Sequence, residues 1–243
     1  MNILRDIYYK VFNNTEVIIR KPEFLAGYKW ILDKNYGRAY FKGYYEPKLT
    51  KYICESLDER SCFIDIGSHA GYFSLLAASI AKHGSVISFE PDKSNYSYLS
   101  NIKNLNHVSN WATVNAAVGD YNGELRFRTG DSSSTGFVAQ DGDVIVRQVS
   151  LDSYISLMNI NKIDLIKIDV EGFAANVLKG SLETINKFKP EILLECHLGS
   201  DEFHVAWDLL YKTYNFYDFS TMKHINEFTN DQIDFVILKT KSK

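Results

Sequence analysis

Residues 63–81 read FIDIGSHAGYFSLLAASIA, and this stretch decides the fold. An apolar run, Cys62–Ile66, carries one acid, Asp65, and leads into two glycines, Gly67 and Gly71. An apolar stretch at helical spacing follows. Strand, glycine loop and helix in that order make the first unit of an open α/β sheet, where ligands bind beyond the carboxyl ends of the strands. A dinucleotide fingerprint needs a glycine two positions after the first. His69 stands there, and its Cβ would crowd a pyrophosphate, so a nicotinamide-dependent dehydrogenase is disfavoured.

The same alternation continues outward. The runs CFIDI, SVISFE, WATVNAAV, IDLIKIDV and EILLEC alternate with helical patterns over 72–81, 92–104, 150–158, 174–188 and 202–211. Strands alternating with helices predict a parallel sheet covered on both faces. ELRFRTG and DVIVRQVS read as a hairpin-like insertion between the third and fourth main strands. FYDF and DQIDFVILK read as an antiparallel pair closing the sheet edge. Upstream, EPKLTKYICESL has apolar residues at helical spacing, with Pro47 suited to a first turn. Residues 1–58 are expected to form a helical appendage capping the substrate, and residues 59–243 the main domain.

Composition narrows the function. The chain has 243 residues, 45% hydrophobic, enough for a substantial core. Its net charge of −3, with no basic stripe, disfavours a partner made of nucleic acid. Cys54, Cys62 and Cys196 show no metal-like spacing, and an uneven count suits a reducing compartment. The N-terminal stretch makes no convincing signal peptide, and no apolar run is long enough to span a bilayer. A cytoplasmic protein without stable membrane insertion is expected.

The first loop then suggests its ligand. Asp65 would repel phosphates but suits a cation, and S-adenosylmethionine carries an ammonium and a sulfonium and no phosphate. Gly67, Ser68, His69, Gly71 and Tyr72 are read as the loop that holds its methionine moiety. Glu90, followed by Pro91 at the end of the second strand, suits two ribose hydroxyls. Ala116 and Ala117 after the third strand leave room for adenine. Strand alternation sends Lys167, Asp169 and Glu171 to one side, and Glu195 and His197 likewise. Asp169, Glu171, Glu195 and His197 thus converge on one rim and are the candidate catalytic residues, with Asp169 also a candidate contact to the cofactor.

These segments resemble the FkbM family of S-adenosylmethionine-dependent methyltransferases. The likeness rests on FIDIGSHAGYFSLLAA, VISFEPDKSNYSYLSNIKNLN, VNAAVGD, VSLDSYI, IDLIKIDVEG, VLKG and PEILLECH, over half of the chain. It implies a class I methyltransferase fold: a Rossmann-like three-layer sandwich with a seven-stranded, mostly parallel sheet whose last strand is antiparallel. It also implies O-methylation of a hydroxyl on a sugar, glycan or secondary metabolite. One departure stands out. Where the family often has glutamate two positions after DVEG, this chain has Ala174.

An alcohol is a poor nucleophile at neutral pH, so a base or a metal should assist. His197 is the expected general base, with Glu171 and Glu195 orienting it and Asp169 positioning the alcohol. The alternative is Mg²⁺ or Mn²⁺ held by Asp169, Glu195 and His197, with Glu171 and His69 as further candidates. Tyr36, Tyr40, Tyr44 and Tyr45 are expected to line the acceptor pocket, and the loop DSSSTGF to act as a lid or a surface turn. Methylation of nitrogen or carboxylate, and a silent adenosine-binding scaffold, stay open as alternatives.

Overall fold

The computed structural model describes residues 14–36, 39–42, 45–130, 132–133, 135–197, 201–228 and 234–241. The chain starts with an antiparallel ribbon, β1 (Glu16–Ile18) and β2 (Lys29–Ile31), then short α1 (Ala39–Lys42) and α2 (Pro47–Ser56). The main sheet begins with β3 (Cys62–Ile66), α3 (Tyr72–Ile80), β4 (Ser85–Phe89), α4 (Lys93–Leu105) and β5 (Trp111–Val114). A second, four-stranded sheet is inserted next: β6 (Ala117–Val118), β7 (Gly123–Arg128), β8 (Phe137–Val138) and β9 (Val144–Val149). The main sheet resumes through α5 (Leu151–Leu157), β10 (Leu165–Ile168), α6 (Ala174–Lys179), α7 (Leu182–Phe188), β11 (Glu191–Glu195) and α8 (Glu202–Leu210). It ends with β12 (Tyr214–Asp218), β13 (His224–Ile225) and β14 (Phe235–Thr240).

Among the described residues the main sheet has eight strands in the order β13-β12-β14-β11-β10-β3-β4-β5, one more than expected. The addition is the two-residue β13 at the edge. β14 lies antiparallel between β11 and β12. The chain moves outward from β3 to β5 and then restarts at β10 on the other side of β3. The strand order therefore reverses between β3 and β10, which is where such sheets bind ligands.

Both faces are covered. Ile64, Ile66, Ile166, Ile168, Ile192 and Leu194 pack toward α5–α8, while Phe63, Leu165 and Leu193 pack toward α2–α4. This is the alternation of a strand buried on both sides. Asp92 caps α4 by accepting from the Ser94 and Asn95 amides, and Ser150 caps α5 through the Ser153 amide.

Three boundaries differ from the sequence reading. The run WATVNAAV is two strands in two sheets, because the chain leaves the main sheet after Val114. The helix expected over 174–188 is two helices, broken around Gly180, whose Cα packs against the Gly119 carbonyl. The expected helical appendage includes an extended ribbon and a short turn at Glu23–Leu25. Its Ile19, Leu25 and Trp30 join the same apolar cluster as Leu75, Leu99 and Trp111.

Candidate active site

A cavity opens at the carboxyl ends of β3, β4, β10 and β11. It is bordered by Gly67, His69, Glu90, Pro91, Ala116, Ala117, Asp169, Glu171 and Glu195, by Tyr45 and Glu46 from the N-terminal segment, and by Ser133 and Gly136 from the inserted sheet. Gly67 has φ +78°, and a Cβ there would lie 1.7 Å from the Asp169 carbonyl oxygen. The close approach that requires glycine is thus to the neighbouring strand end, which locks the first loop beside Asp169. Gly71, at φ +81°, starts α3; a Cβ there would sit 2.8 Å from the Trp111 ring.

Glu90 is almost wholly buried. Its Oε2 accepts from the His69 amide at 2.8 Å and its Oε1 from the Asp92 amide at 2.9 Å. Burial pushes its carboxyl up to about 7. His69 is held at φ 48°, with Nδ1 3.0 Å from the Tyr40 hydroxyl. Burial pushes its imidazole down to about 4, so the ring is neutral at physiological pH.

Below the first loop lies a buried charge network. Lys167 is 2% exposed; its Nζ donates to Asp169 Oδ2 at 2.7 Å and lies 3.7 Å from Asp65 Oδ1. Burial opposes the charge on Lys167, and the two aspartates outweigh it and hold the ammonium protonated. Burial likewise opposes ionisation of Asp169. Lys167 and a hydrogen bond donated by the Glu195 carboxyl prevail, so Asp169 stays ionised. Burial, that hydrogen bond and the adjacent charge of Asp169 push Glu195 up to about 9. An ionised carboxyl and a protonated one therefore face the cavity side by side.

A family model for the methyltransferase FkbM domain matches residues 65–232. The chain belongs to the FkbM methyltransferase family. A curated relative, the hexuronic acid methyltransferase AglP of Haloferax volcanii, is 23% identical over 162 residues, 64% of this chain and 64% of that protein. The structure of an FkbM methyltransferase from Methylobacillus flagellatus KT matches with a TM-score of 0.54 at 18% identity, covering 75% of this chain and 44% of that one. The FkbM-family chain thus spans less than two thirds of either relative, and the structural likeness concerns the fold.

The geometry places several of the expected site residues of this FkbM chain away from the cavity wall. Asp65 is not at the cavity's entrance. In register with Lys167 of β10 and Ser88 of β4, it turns toward α3, where the Ser74 hydroxyl donates to it at 2.5 Å. Its cation is Lys167. Ser68, Gly71 and Tyr72 do not border the cavity either: Ser68 donates to the Phe89 carbonyl, and Tyr72 packs among Trp30, Tyr40 and Tyr45.

His197 is also outside the cavity wall. Its Nε2 lies 3.3 Å from Glu171 and its Nδ1 3.2 Å from buried Glu202. Hydrogen bonds to Glu171 and Glu202 push it up to about 10, which favours its charged form, and the Gly172 amide also lies 3.2 Å from Nδ1. The metal set Asp169, Glu195 and His197 does not assemble: Asp169 is taken by Lys167, and His197 by two glutamates. No group of three metal-type side chains converges among the described residues.

Of the expected tyrosines, Tyr45 borders the cavity. Tyr36 stacks on Tyr98 with centroids 3.7 Å apart, and Tyr44 lies outside the described residues. In the expected lid, Ser133 is clasped from two sides: its carbonyl accepts from Asn95 at 2.8 Å and its hydroxyl donates to the Asn35 carbonyl at 2.7 Å. Asp131 and Ser134 of that loop lie outside the described residues. The sequence reading missed Glu46 and Asn95 as wall residues. An acid placed directly before Pro47 was the available sign for Glu46.

Among the described residues, no helix is long and apolar enough to cross a membrane.

Proposed function

We propose that the protein transfers a methyl group from S-adenosylmethionine to a hydroxyl oxygen of a sugar or glycan. The observation that carries this reading is the placing of Asp169 and Glu195 side by side on a cavity wall shared with Glu90, Ala116 and Ala117. The residues fit the cofactor. Glu90 keeps lone pairs for two ribose hydroxyls, the two alanines leave space for a flat base, and Gly67 and His69 border the methionine end. The bound cofactor supplies a methyl group already activated by its sulfonium. A sugar acceptor draws support from the hexuronic acid methyltransferase relative.

The protein's own task is to orient the acceptor and remove its proton. Glu195 in its ionised form is the base, and the neighbouring charge of Asp169 makes it far more basic than a free carboxylate. A cation bound beside the pair favours that ionised form. Lys167 keeps Asp169 charged and fixed, so Asp169 can accept a hydrogen bond from a neighbouring hydroxyl of the acceptor and leave the reacting hydroxyl's one proton for Glu195. The hydroxyl proton passes to Glu195 as the new C–O bond forms. His197 serves as a positioning residue for the Glu171 loop.

The test is calorimetric titration with S-adenosylhomocysteine, then methyl transfer to a panel of sugars by wild type and Glu195→Gln. Micromolar binding and a turnover loss of about 10²–10⁴-fold in the variant are expected. Absence of binding sinks the cofactor assignment, and turnover kept within a few-fold sinks Glu195 as the base.

A further inference from the structure

A second cleft, of about 280 Å³, lies at the outer edge of the main sheet, between the end of α8 and strands β12 and β13. β12 runs parallel to β11, since both lie antiparallel to β14. The start of β12 is therefore at the amino ends of the parallel strands, where the Tyr214 hydroxyl donates to the Pro190 carbonyl just before β11. The cavity described above opens at the carboxyl ends. Two strand spacings and one strand length separate the two places, roughly 20 Å.

One wall is aromatic. Trp207 and Tyr211 stand one turn apart at the end of α8, so their rings share a face of the helix. The two rings are parallel to within 8°, with centroids 6.1 Å apart. Phe216 packs against the indole at 5.0 Å, while Tyr211 is 40% exposed. The Lys241 ammonium donates to the Tyr211 carbonyl at 2.7 Å and fixes this end of the helix.

The other wall is polar. β13 pairs with Phe216 and Tyr217, which leaves the outer edge of β12 open at Asn215 among the described residues. Across that open edge, His224 joins two carboxamides. Its Nδ1 lies 2.5 Å from Asn226 Oδ1 and its Nε2 3.3 Å from Asn215 Oδ1. The Tyr217 ring packs against the imidazole at 5.1 Å and sets its direction. Each asparagine thus spends one end of its carboxamide on the histidine, and the other end has no hydrogen-bond partner among the described residues. No carboxylate lines the cleft among those residues, and its lysine is committed to the helix end.

Aromatic faces are electron-rich. Beside oriented amide groups they suit a neutral ligand with one C–H face and hydroxyls around its rim, which describes a pyranose ring. We propose that this cleft binds a neutral sugar ring of a glycan, outside the cavity. Trp207 and Tyr211 take the C–H face, and Asn215 and Asn226 hydrogen-bond adjacent hydroxyls. The site goes beyond the methyl-transfer reading and does not depend on it.

The test is titration of the full chain with maltotriose and with chitotriose, adenosine being the contrast, followed by NMR of the indole N–H groups and the asparagine side-chain amides. Saturable shifts at Trp207, Asn215 and Asn226 are expected with at least one trisaccharide, with Trp30 and Trp111 unmoved and the same isotherm in the presence of S-adenosylhomocysteine. Tyr211→Ala and Asn226→Ala, both at exposed positions, are expected to weaken binding by about fivefold or more. Shifts with neither trisaccharide, equal shifts with adenosine, or isotherms of both variants within about twofold of wild type overturn the site. Competition by S-adenosylhomocysteine also overturns it, because the sugar then sits in the cavity. Sugar shifts in a chain that binds no S-adenosylhomocysteine uphold the cleft and sink the cofactor reading alone.

Discussion

Glu195 owes its basicity to two neighbours, the ionised Asp169 it donates to and the apolar wall that desolvates it. A base must be deprotonated to act, so activity falls as pH drops below its pKa. We expect kcat/KM to rise with pH, reach half its maximum near about 9 and level off above it, and the rise to vanish in any residual activity of Glu195→Gln; a pH–rate profile checks both. Lys167 is the opposite case, a cation whose work is internal. Lys167→Met leaves Asp65 and Asp169 buried without a counter-charge and should cost about 3–5 kcal/mol by urea denaturation. Adding Asp65→Leu should restore part of that loss, because one of the orphaned charges is then gone. Both aspartates were visible in the sequence. That Asp65 serves Lys167 rather than a ligand was not, because register across two strands sets the partner.

Between residues and the whole fold, loops after β10 and β11 are tied together by one imidazolium. His197 bridges Glu171 in the first loop and Glu202 at the start of α8. Glu202 also accepts from the amides of Ala174 and His197, so a carboxylate on α8 reaches the start of α6, beside the place where the sequence has Ala174. The folded pKa of His197, about 10, lies above the unfolded value of about 6.5. Its stabilisation is therefore full below about pH 6.5 and is lost as pH rises through about 10. His197→Gln should lower stability by about 1–2 kcal/mol at pH 6, with the gap to wild type closing above pH 10. Paired denaturation curves at the two pH values would show a constant gap if the histidine were neutral in the fold. At this scale the helices were legible from periodicity and caps such as Asp92 and Ser150. The split helix near Gly180 was not read, although Gly180, where a side chain would meet the Gly119 carbonyl, closes one helix and Ser181 opens the next.

The whole molecule has a sheet between two apolar layers, with the N-terminal ribbon built into one of them. Trp30 is almost completely buried, with its ring 5.3 Å from Tyr40, 6.4 Å from Tyr72 and 6.0 Å from Tyr98. If residues 14–58 fold with the sheet as one cooperative unit, Trp30→Ala should cost about 3–5 kcal/mol and move a single unfolding transition. A separate appendage predicts instead a second transition, with the main one unmoved.

The sequence by itself determined the α/β alternation, the inserted hairpin, the antiparallel C-terminal pair and the set of strand ends that carry acids, because burial period and turn chemistry are local. It also carried the family likeness, since Asp65, Gly67, Glu90 and Asp169 recur at strand ends in a fixed order. Only the tertiary structure decided which of those groups face the cavity. One residue of register turns Asp65 inward onto Lys167, and two glutamates from different elements engage His197 outside the cavity wall. Glu46 arrives from a segment that shares no motif with the sheet. Charge state depends on what surrounds a group in three dimensions, and that is the property that separates a conserved-looking acid from a working one.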